Sequence, residues 1–348
     1  MDANLSGLSD LAFEGAAAGY LMALVCHAVE TASRRARRVE PAAATAGVPI
    51  GSAAAALGGA SAGAVGSTAV LAPPLSGSGQ PAPVRPARVP FGERFGRAAV
   101  LVTAIGFACH VLALVFRGLA AQRPPWGNMY EFTLMITGAA VASWLIVLWR
   151  AKARLMGIYV MTPIVVLVFL AGTVLYTRSA PLLPVLNSYW LIIHVAAISL
   201  SSGVLMLSGL ASAAYLVRDR HDRRVAAAGS AGGDAPAGVV TRLPSLDKLD
   251  RIAYRSAIAA FPFYTFAIMA GAMWAEVAWG SYWSWDPKET VALVSWVVYA
   301  GYLHARATAG WRGRPAAWIS VVGLATIIFN LFFVNMVISG LHSYAGLN

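Results

Sequence analysis

Trp274–Thr290 reads WAEVAWGSYWSWDPKET. It lies between two apolar runs, Ser256–Val277 and Thr290–Ala307, so the chain leaves an apolar layer here and re-enters it. Trp274, Trp279, Trp283 and Trp285 crowd this turnaround, with Tyr282 among them. Anchoring at a membrane–water interface accounts for one or two such side chains. A shelf of indoles is better matched to a flat aromatic ligand, because aromatic rings pack face and edge against one another. The stretch closes on a helix start, with Asp286 as N-cap, Pro287 at the first helical position and Glu289 placed to complete a capping box. Capping explains Asp286 and leaves room for a second role.

Composition agrees with the turnaround. Of 348 residues, 58% are hydrophobic and 12% charged, which is the balance of a membrane protein rather than of a soluble two-domain chain. A spanning helix needs about 20 mostly apolar residues. Eight stretches qualify: Leu11–Val29, Ala98–Phe116, Tyr130–Trp149, Met156–Tyr176, Leu191–Val217, Ser256–Val277, Thr290–Ala307 and Ala316–Ile338. The expected fold is therefore all-α and polytopic, with about eight transmembrane helices.

Three parts follow along the chain. Residues 1–33 form an N-terminal transmembrane helix, 34–97 a flexible linker, and 98–348 a seven-helix membrane domain. The linker opens with RRARR and then runs uncharged from Pro41 to Val84, rich in Ala, Gly, Ser and Pro. Small side chains and flanking prolines argue against a ninth span there. Asp219–Pro244 reads as a second disordered loop. The acidic N-terminus MDANLSGLSDLAFEG has no basic n-region, so no cleaved signal peptide is expected.

The net charge of +11 would suggest nucleic acid in a soluble chain, but its distribution excludes that reading. With eight spans, all of the 26 Lys and Arg residues fall on one side except Arg117, Arg123, Arg178 and Lys288. Basic loops face the cytoplasm. Both termini and the Trp-rich stretch then face outward, and the expected location is the plasma membrane. Cys26 and Cys109 lie far apart inside apolar runs with no CxxC, so thiol–disulfide exchange by this chain is not expected.

The topology sorts the six histidines. His194, just after Tyr189-Trp190, and His342, in GLHSYA, fall at the outer face and flank the Trp-rich stretch in sequence. Neutral imidazole is a common axial ligand of haem iron, and two of them make a six-coordinate site. His304, in YLHAR, lies 18 residues beyond Asp286, roughly 27 Å at the helical rise. It falls near the cytoplasmic boundary, at a depth similar to His27, so a second, inner pair is geometrically open. Hydrogen bonding within the bundle, or snorkelling for His304, are the plainer alternatives. His110 and His221 are expected to be structural and solvated, respectively.

At these residues the chain resembles a family. WAEVAWGSYWSWDPKET is similar to the WWD signature of haem-handling proteins in cytochrome c maturation. With WLIIHV, YLHAR, GLHSYA and RPPWGNMYEF it resembles the CcsA (ResC) family of the System II pathway, over about Phe95–Asn348. The resemblance implies haem b held at an outer site by His194 and His342, with Trp274, Trp279, Trp283, Trp285 and Asp286 around it. It implies an inner site at His304, whose second ligand is His27 or belongs to a partner protein. It also implies a CcsB/ResB-type membrane partner, an apocytochrome c presenting a CxxCH segment, and a thioredoxin-like protein that keeps its cysteines reduced. The product is a thioether between a haem vinyl and a cysteine, as formed by a haem lyase complex. No acid–base pair is required of this chain, because the haem carries the reactive groups.

Propionates need cations, and the outer face offers Arg117, Arg123, Arg178 and Lys288, of which Arg123 or Arg178 is expected to serve. Asp286 could reach a propionate through water. Glu131 in NMYEF is expected to compensate its helix dipole. Two other classes stay open: a bis-haem membrane electron carrier, and a haem-free scaffold or transporter.

Overall fold

The computed structural model describes residues 3–39, 90–178, 186–230, 239–308 and 310–342. Among them the chain is helical, with no strand. The helices are α1 (Ala3–Val39), α2 (Phe91–Ala121), α3 (Met129–Ala151), α4 (Gly157–Thr173), α5 (Tyr189–Ser230), α6 (Leu246–Trp279), α7 (Pro287–Ala307) and α8 (Arg314–Phe329). α8 passes into a π-helical turn, Asn330–Val334, and a last turn, Asn335–Val337.

The helix ends follow local chemistry. Asn128 caps α3 by accepting from the Glu131 N–H. Gln122, Lys152 and Gly280 end α2, α3 and α6 in the left-handed region. The capping box at α7 forms as expected: Asp286 accepts from the Lys288 N–H, and Glu289 accepts from the Asp286 N–H.

Among the described residues, seven helices are long and apolar enough to cross a membrane. Each of the eight expected spans coincides with a helix, with Met156–Tyr176 and Ala316–Ile338 running a few residues past the helix ends, but α7 falls below that apolarity. Lys288 and Glu289 at one end and His304 and Arg306 at the other dilute its 21 residues. It is held by its neighbours instead. Tyr299 and Tyr302 are buried with Leu205 of α5, Ala257 and Tyr264 of α6, and Ala316 and Ile327 of α8. Trp296 Nε1 donates to Thr265 of α6.

Three boundaries differ from the sequence reading. α1 runs on to Val39 and α2 starts at Phe91, so both ends of the expected linker 34–97 are helical; residues 40–89 lie outside the described set. The expected loop 219–244 is helical as far as Ser230. Arg218 explains this, pairing with Asp222 one turn on and donating to the carbonyls of Thr241 and Leu243. Finally, α1 is part of the bundle: Ala16, Tyr20 and Ala23 share one buried cluster with Trp144 of α3, Met161 of α4, Met206 of α5 and Ala253 of α6.

Polar contacts tie the helices at both ends, in the alternation that eight spans require. At the end carrying the α6–α7 loop, Ser9 of α1 bonds the Ala113 carbonyl of α2, Tyr176 bonds Asp10, and Lys288 bonds Asn335. At the opposite end, Arg154 pairs with Glu30, Arg306 with Asp250, and Arg314 with Asp219.

Candidate functional site

A large cavity opens at the end of the bundle that carries the α6–α7 loop. It encloses about 1230 Å³ of empty space, its open mouth included. Met129 and Phe132 of α3, Leu191 of α5, Ile268 of α6 and Leu331 of the π turn give it apolar walls. Trp126, from the α2–α3 loop, adds an indole.

His194 and His342 both line this cavity, 148 positions apart in sequence yet packed against the same indole. Trp274 is stacked near-parallel to His194, with centroids 6.4 Å apart, and meets His342 edge-on at 5.8 Å. Trp279 meets His342 edge-on at 5.0 Å and Trp274 at 4.7 Å.

Each imidazole is oriented through Nδ1. His194 Nδ1 lies 2.7 Å from the Ala267 carbonyl, which can only accept, so Nδ1 carries the proton and Nε2 the lone pair. His342 Nδ1 donates to Asp286 Oδ2 at 2.8 Å, which fixes the same tautomer. Ligating histidines typically donate their other ring N–H to a carbonyl or carboxylate, and these two use one of each. Gly271 makes room for His194, since a Cβ there would sit 2.7 Å from the ring. These features, with the aromatic walls, fit a planar macrocycle bound through axial imidazoles.

Asp286 does more than cap α7. Its Oδ1 also accepts from the Leu341 N–H at 2.6 Å, so one carboxylate holds both the start of α7 and the segment bearing His342. Gly340 permits this approach, because a Cβ there would meet Oδ1 at 2.4 Å. Burial pushes the Asp286 carboxyl up, but the bonds from His342, Leu341 and Lys288 outweigh it and hold it below the usual carboxylate range. Burial holds the His342 imidazole below its ordinary value, against the pull of Asp286. A depressed value keeps the imidazole neutral, the form that binds metal. Asp286 is therefore committed to protein partners, and the expected water-mediated propionate contact gives way to orientation of His342.

The four indoles of the loop divide. Trp274 is buried between the two histidines, and Trp279 and Trp283 line the cavity. Trp285 does not line it: it is 69% exposed, stands edge-on to Trp283 at 5.8 Å, and has φ +58. The expected four-membered shelf is three indoles plus Trp126, because the left-handed backbone at 285 turns the fourth side chain outward.

The cations also divide differently from the sequence reading. Arg123, expected near a propionate, pairs instead with Glu131 at 2.7 Å. Glu131 is fully buried and also takes Arg117 at 3.0 Å and the Gly127 N–H at 2.7 Å. Its role is to lock the α2–α3 loop that carries Trp126, beyond dipole compensation. Arg178 is exposed and does not line the cavity. Lys288 does line it. Its Nζ donates to Asn335 Oδ1 and lies 5.6 Å from the Phe132 ring centroid. The Asn335 amide N–H groups are taken by the Asn330 and Leu331 carbonyls, which the π turn leaves available. The sequence reading passed over Asn330 and Asn335. Two amides in an otherwise apolar span were the signal.

The remaining histidines are apart from the cavity. His304 is exposed on α7. His27 is buried, packed against Gly157 of α4 and 4.0 Å from Glu30. The two imidazoles that depth alone leaves open as an inner pair sit in different surroundings, His27 buried on α1 and His304 exposed on α7. His110 is structural as expected, bonded to Tyr20 and the Leu134 carbonyl. His221 lies on α5 rather than in a loop.

The fold and site together are those of a polytopic, all-helical membrane protein with two oriented imidazoles on one aromatic-walled cavity, and the comparisons place it among cytochrome c assembly proteins. The family model for "Cytochrome C assembly protein" matches residues 126–342, which span the cavity and both histidines. The cytochrome c biogenesis protein CcsA of Gloeothece citriformis is 35% identical over 295 residues, covering 74% of this chain and 89% of that protein. CcsA of Trieres chinensis is 36% identical over 254 residues, covering 67% and 81%. The chain belongs to the CcsA family. In fold it is similar to a solved structure titled "Cytochrome c Heme Lyase CcmF", with a TM-score of 0.57 at 15% identity. That match covers 94% of this chain and 46% of the other, so the chain spans about half of that protein's length.

Proposed function

We propose that this protein holds haem b in the cavity between His194 and His342 and presents it for covalent attachment to apocytochrome c. The observation that carries the reading is the pair of imidazoles on one cavity, each donating through Nδ1, to the Ala267 carbonyl and to Asp286, so that Nε2 is the ligating nitrogen. Trp274, Trp279 and Trp283 form the WWD platform against which the ring is oriented. Relatives named for cytochrome c biogenesis support the client.

The cysteine thiol of a CxxCH segment adds across a haem vinyl: a carbon–sulfur bond forms, the thiol proton ends on the neighbouring carbon, and nothing leaves. This chain's share is positioning, which can supply several orders of magnitude in effective concentration. The cavity faces the extracytoplasmic side of the plasma membrane, because the basic loops lie at the other end. The System II setting supplies a CcsB/ResB-type partner and a thioredoxin-like reductant for the client cysteines. His304, exposed on α7, serves haem on its outward path, with its second ligand from that partner; exposure to a neighbouring protein favours this over pairing with buried His27.

The test is the Soret spectrum and haem content of the full chain, purified with and without the partner, alongside holocytochrome c yield. In His194→Ala and His342→Ala, weakened bis-imidazole signal together with lost holocytochrome c is expected. Absence of haem in the wild-type protein under both conditions would sink the proposal. Stoichiometric haem with maturation intact in both variants would assign the protein to electron transfer instead.

A further inference from the structure

Among the described residues, Lys288 is the one Lys or Arg lining the cavity, whose mostly aromatic and aliphatic wall also carries the polar groups of Asn128, Ser202, Glu289 and Asn330. Its two carboxylate neighbours in sequence are both committed. Asp286 serves His342, Leu341 and the Lys288 N–H, and Glu289 accepts from the Ser284 and Asp286 N–H groups. Among the described residues, no carboxylate lies within 4.0 Å of the Lys288 ammonium. Its hydrogen-bond partner is the neutral Asn335 amide, and a phenyl ring stands beside it. Lys288 is half-buried, and an ammonium beside an apolar wall is stabilised by an opposite charge.

The surroundings hold the ammonium at the cavity. Asn335 has both amide protons engaged by carbonyls of the π turn, so its oxygen must face Lys288. Asn330 adds a second tie by donating to the Lys288 carbonyl at 3.2 Å. A π turn in α8 thus serves as the bracket for one lysine. The same cavity wall carries His342 and Phe132.

Resting on the haem reading above, we propose that Lys288 is the positioning residue that receives a haem propionate and so sets which edge of the macrocycle points into the bundle. With one propionate held at Lys288, the opposite, vinyl-bearing edge is directed away from it. Lys288 is a positioning residue, since it touches the ligand's carboxylate and not the reacting carbon.

The test compares haem with haem dimethyl ester, in which both propionates are neutral, by Soret titration of the full purified chain. Wild-type protein is expected to bind haem more tightly than the ester by about ten- to a hundredfold, the range of a hydrogen bond to a charged group. Lys288→Met is expected to lose that preference and bind the two alike, and Lys288→Arg to keep it. A wild-type protein that binds both porphyrins equally overturns the inference and leaves the haem reading standing, and so does Lys288→Met protein that keeps the full preference. No Soret band with either porphyrin overturns the haem reading and the inference together. The wild-type comparison needs no variant to fold, so the inference can fail on that arm alone.

Discussion

Asp286 concentrates three functions in one side chain, and substitution can separate them. Asparagine is as good an N-cap as aspartate, so Asp286→Asn should fold and insert normally. It removes the negative charge that the His342 Nδ1–H faces, and a lost orienting partner typically costs about 10- to 100-fold in affinity for the bound metal group. Haem titration of the variant is expected to show a loss in that range. The pH dependence has a definite sign. Burial depresses His342, so its neutral form, and any ligation through it, persists below the ordinary imidazole range and is lost as pH falls through the depressed value. Asp286 raises that value. Its removal should therefore lower the pH at which the imidazole of the haem-free protein gains its proton, read by NMR titration; a move to higher pH would contradict the pairing. Asp286 itself is depressed, so its ties to Leu341 and His342 hold above the carboxylate range and fail only in stronger acid.

The histidine pair was legible in the sequence because a loop of indoles with a histidine on either side leaves few other readings. Lys288 was not, although it lies two residues from Asp286. Counting cations by side weighted arginines, and nothing in the string NLFFVN announces a π turn. Arg123 misled for a related reason: its partner Glu131 looked like an ordinary first-turn acid, and only burial reveals that it binds two guanidinium groups.

Helix packing carries two further expectations. Gly271 of α6 is a contact point rather than a hinge. In Gly271→Ala, the new methyl would press on the His194 ring at 2.7 Å, displacing the imidazole while leaving α6 and membrane insertion intact. The expected result is loss of most of the bis-imidazole Soret signal with an unchanged thermal unfolding midpoint. The Arg117–Glu131–Arg123 cluster predicts the opposite pattern. Glu131→Gln leaves two buried guanidinium groups without their anion, and breaking a buried pair costs about 3–5 kcal/mol. A markedly lower unfolding midpoint in detergent is expected; a change within about 0.5 kcal/mol would show that the cluster is not the lock on the α2–α3 loop. The length of α5 was misjudged because the sequence from Asp219 onward is charged and Ala/Gly-rich. One-turn ion pairs and the Arg218 bonds to Thr241 and Leu243 keep it helical to Ser230.

The bundle as a whole makes a claim about sides. Apolar runs and charge counting found eight spans, and the polar contacts at the two ends agree with that alternation. α7 shows where hydropathy alone falls short: its polar ends and tyrosines lower the score, and tertiary packing makes up the difference. The direction of the bundle can be read by labelling. A cysteine at Ser284, in the α6–α7 loop, should react with a membrane-impermeant maleimide in intact cells. One at Arg312, between α7 and α8, should react only after the membrane is opened. The reverse pattern would invert the topology and put the cavity on the cytoplasmic side.

The two imidazoles are not mounted alike. His194 projects from the second turn of a bundle helix, where its Nδ1 is bonded to the Ala267 carbonyl of α6, and moving it means moving the start of α5. His342 lies beyond the last turn of the α8 segment, held from outside its own helix by the Asp286 carboxylate, which also grips the neighbouring N–H, and by the edges of Trp274 and Trp279. The site is a vice with one fixed jaw and one sprung jaw. On the function proposed above, a histidine arriving on a client peptide would compete with the sprung one, and the bundle would release its cargo on that side without repacking a helix.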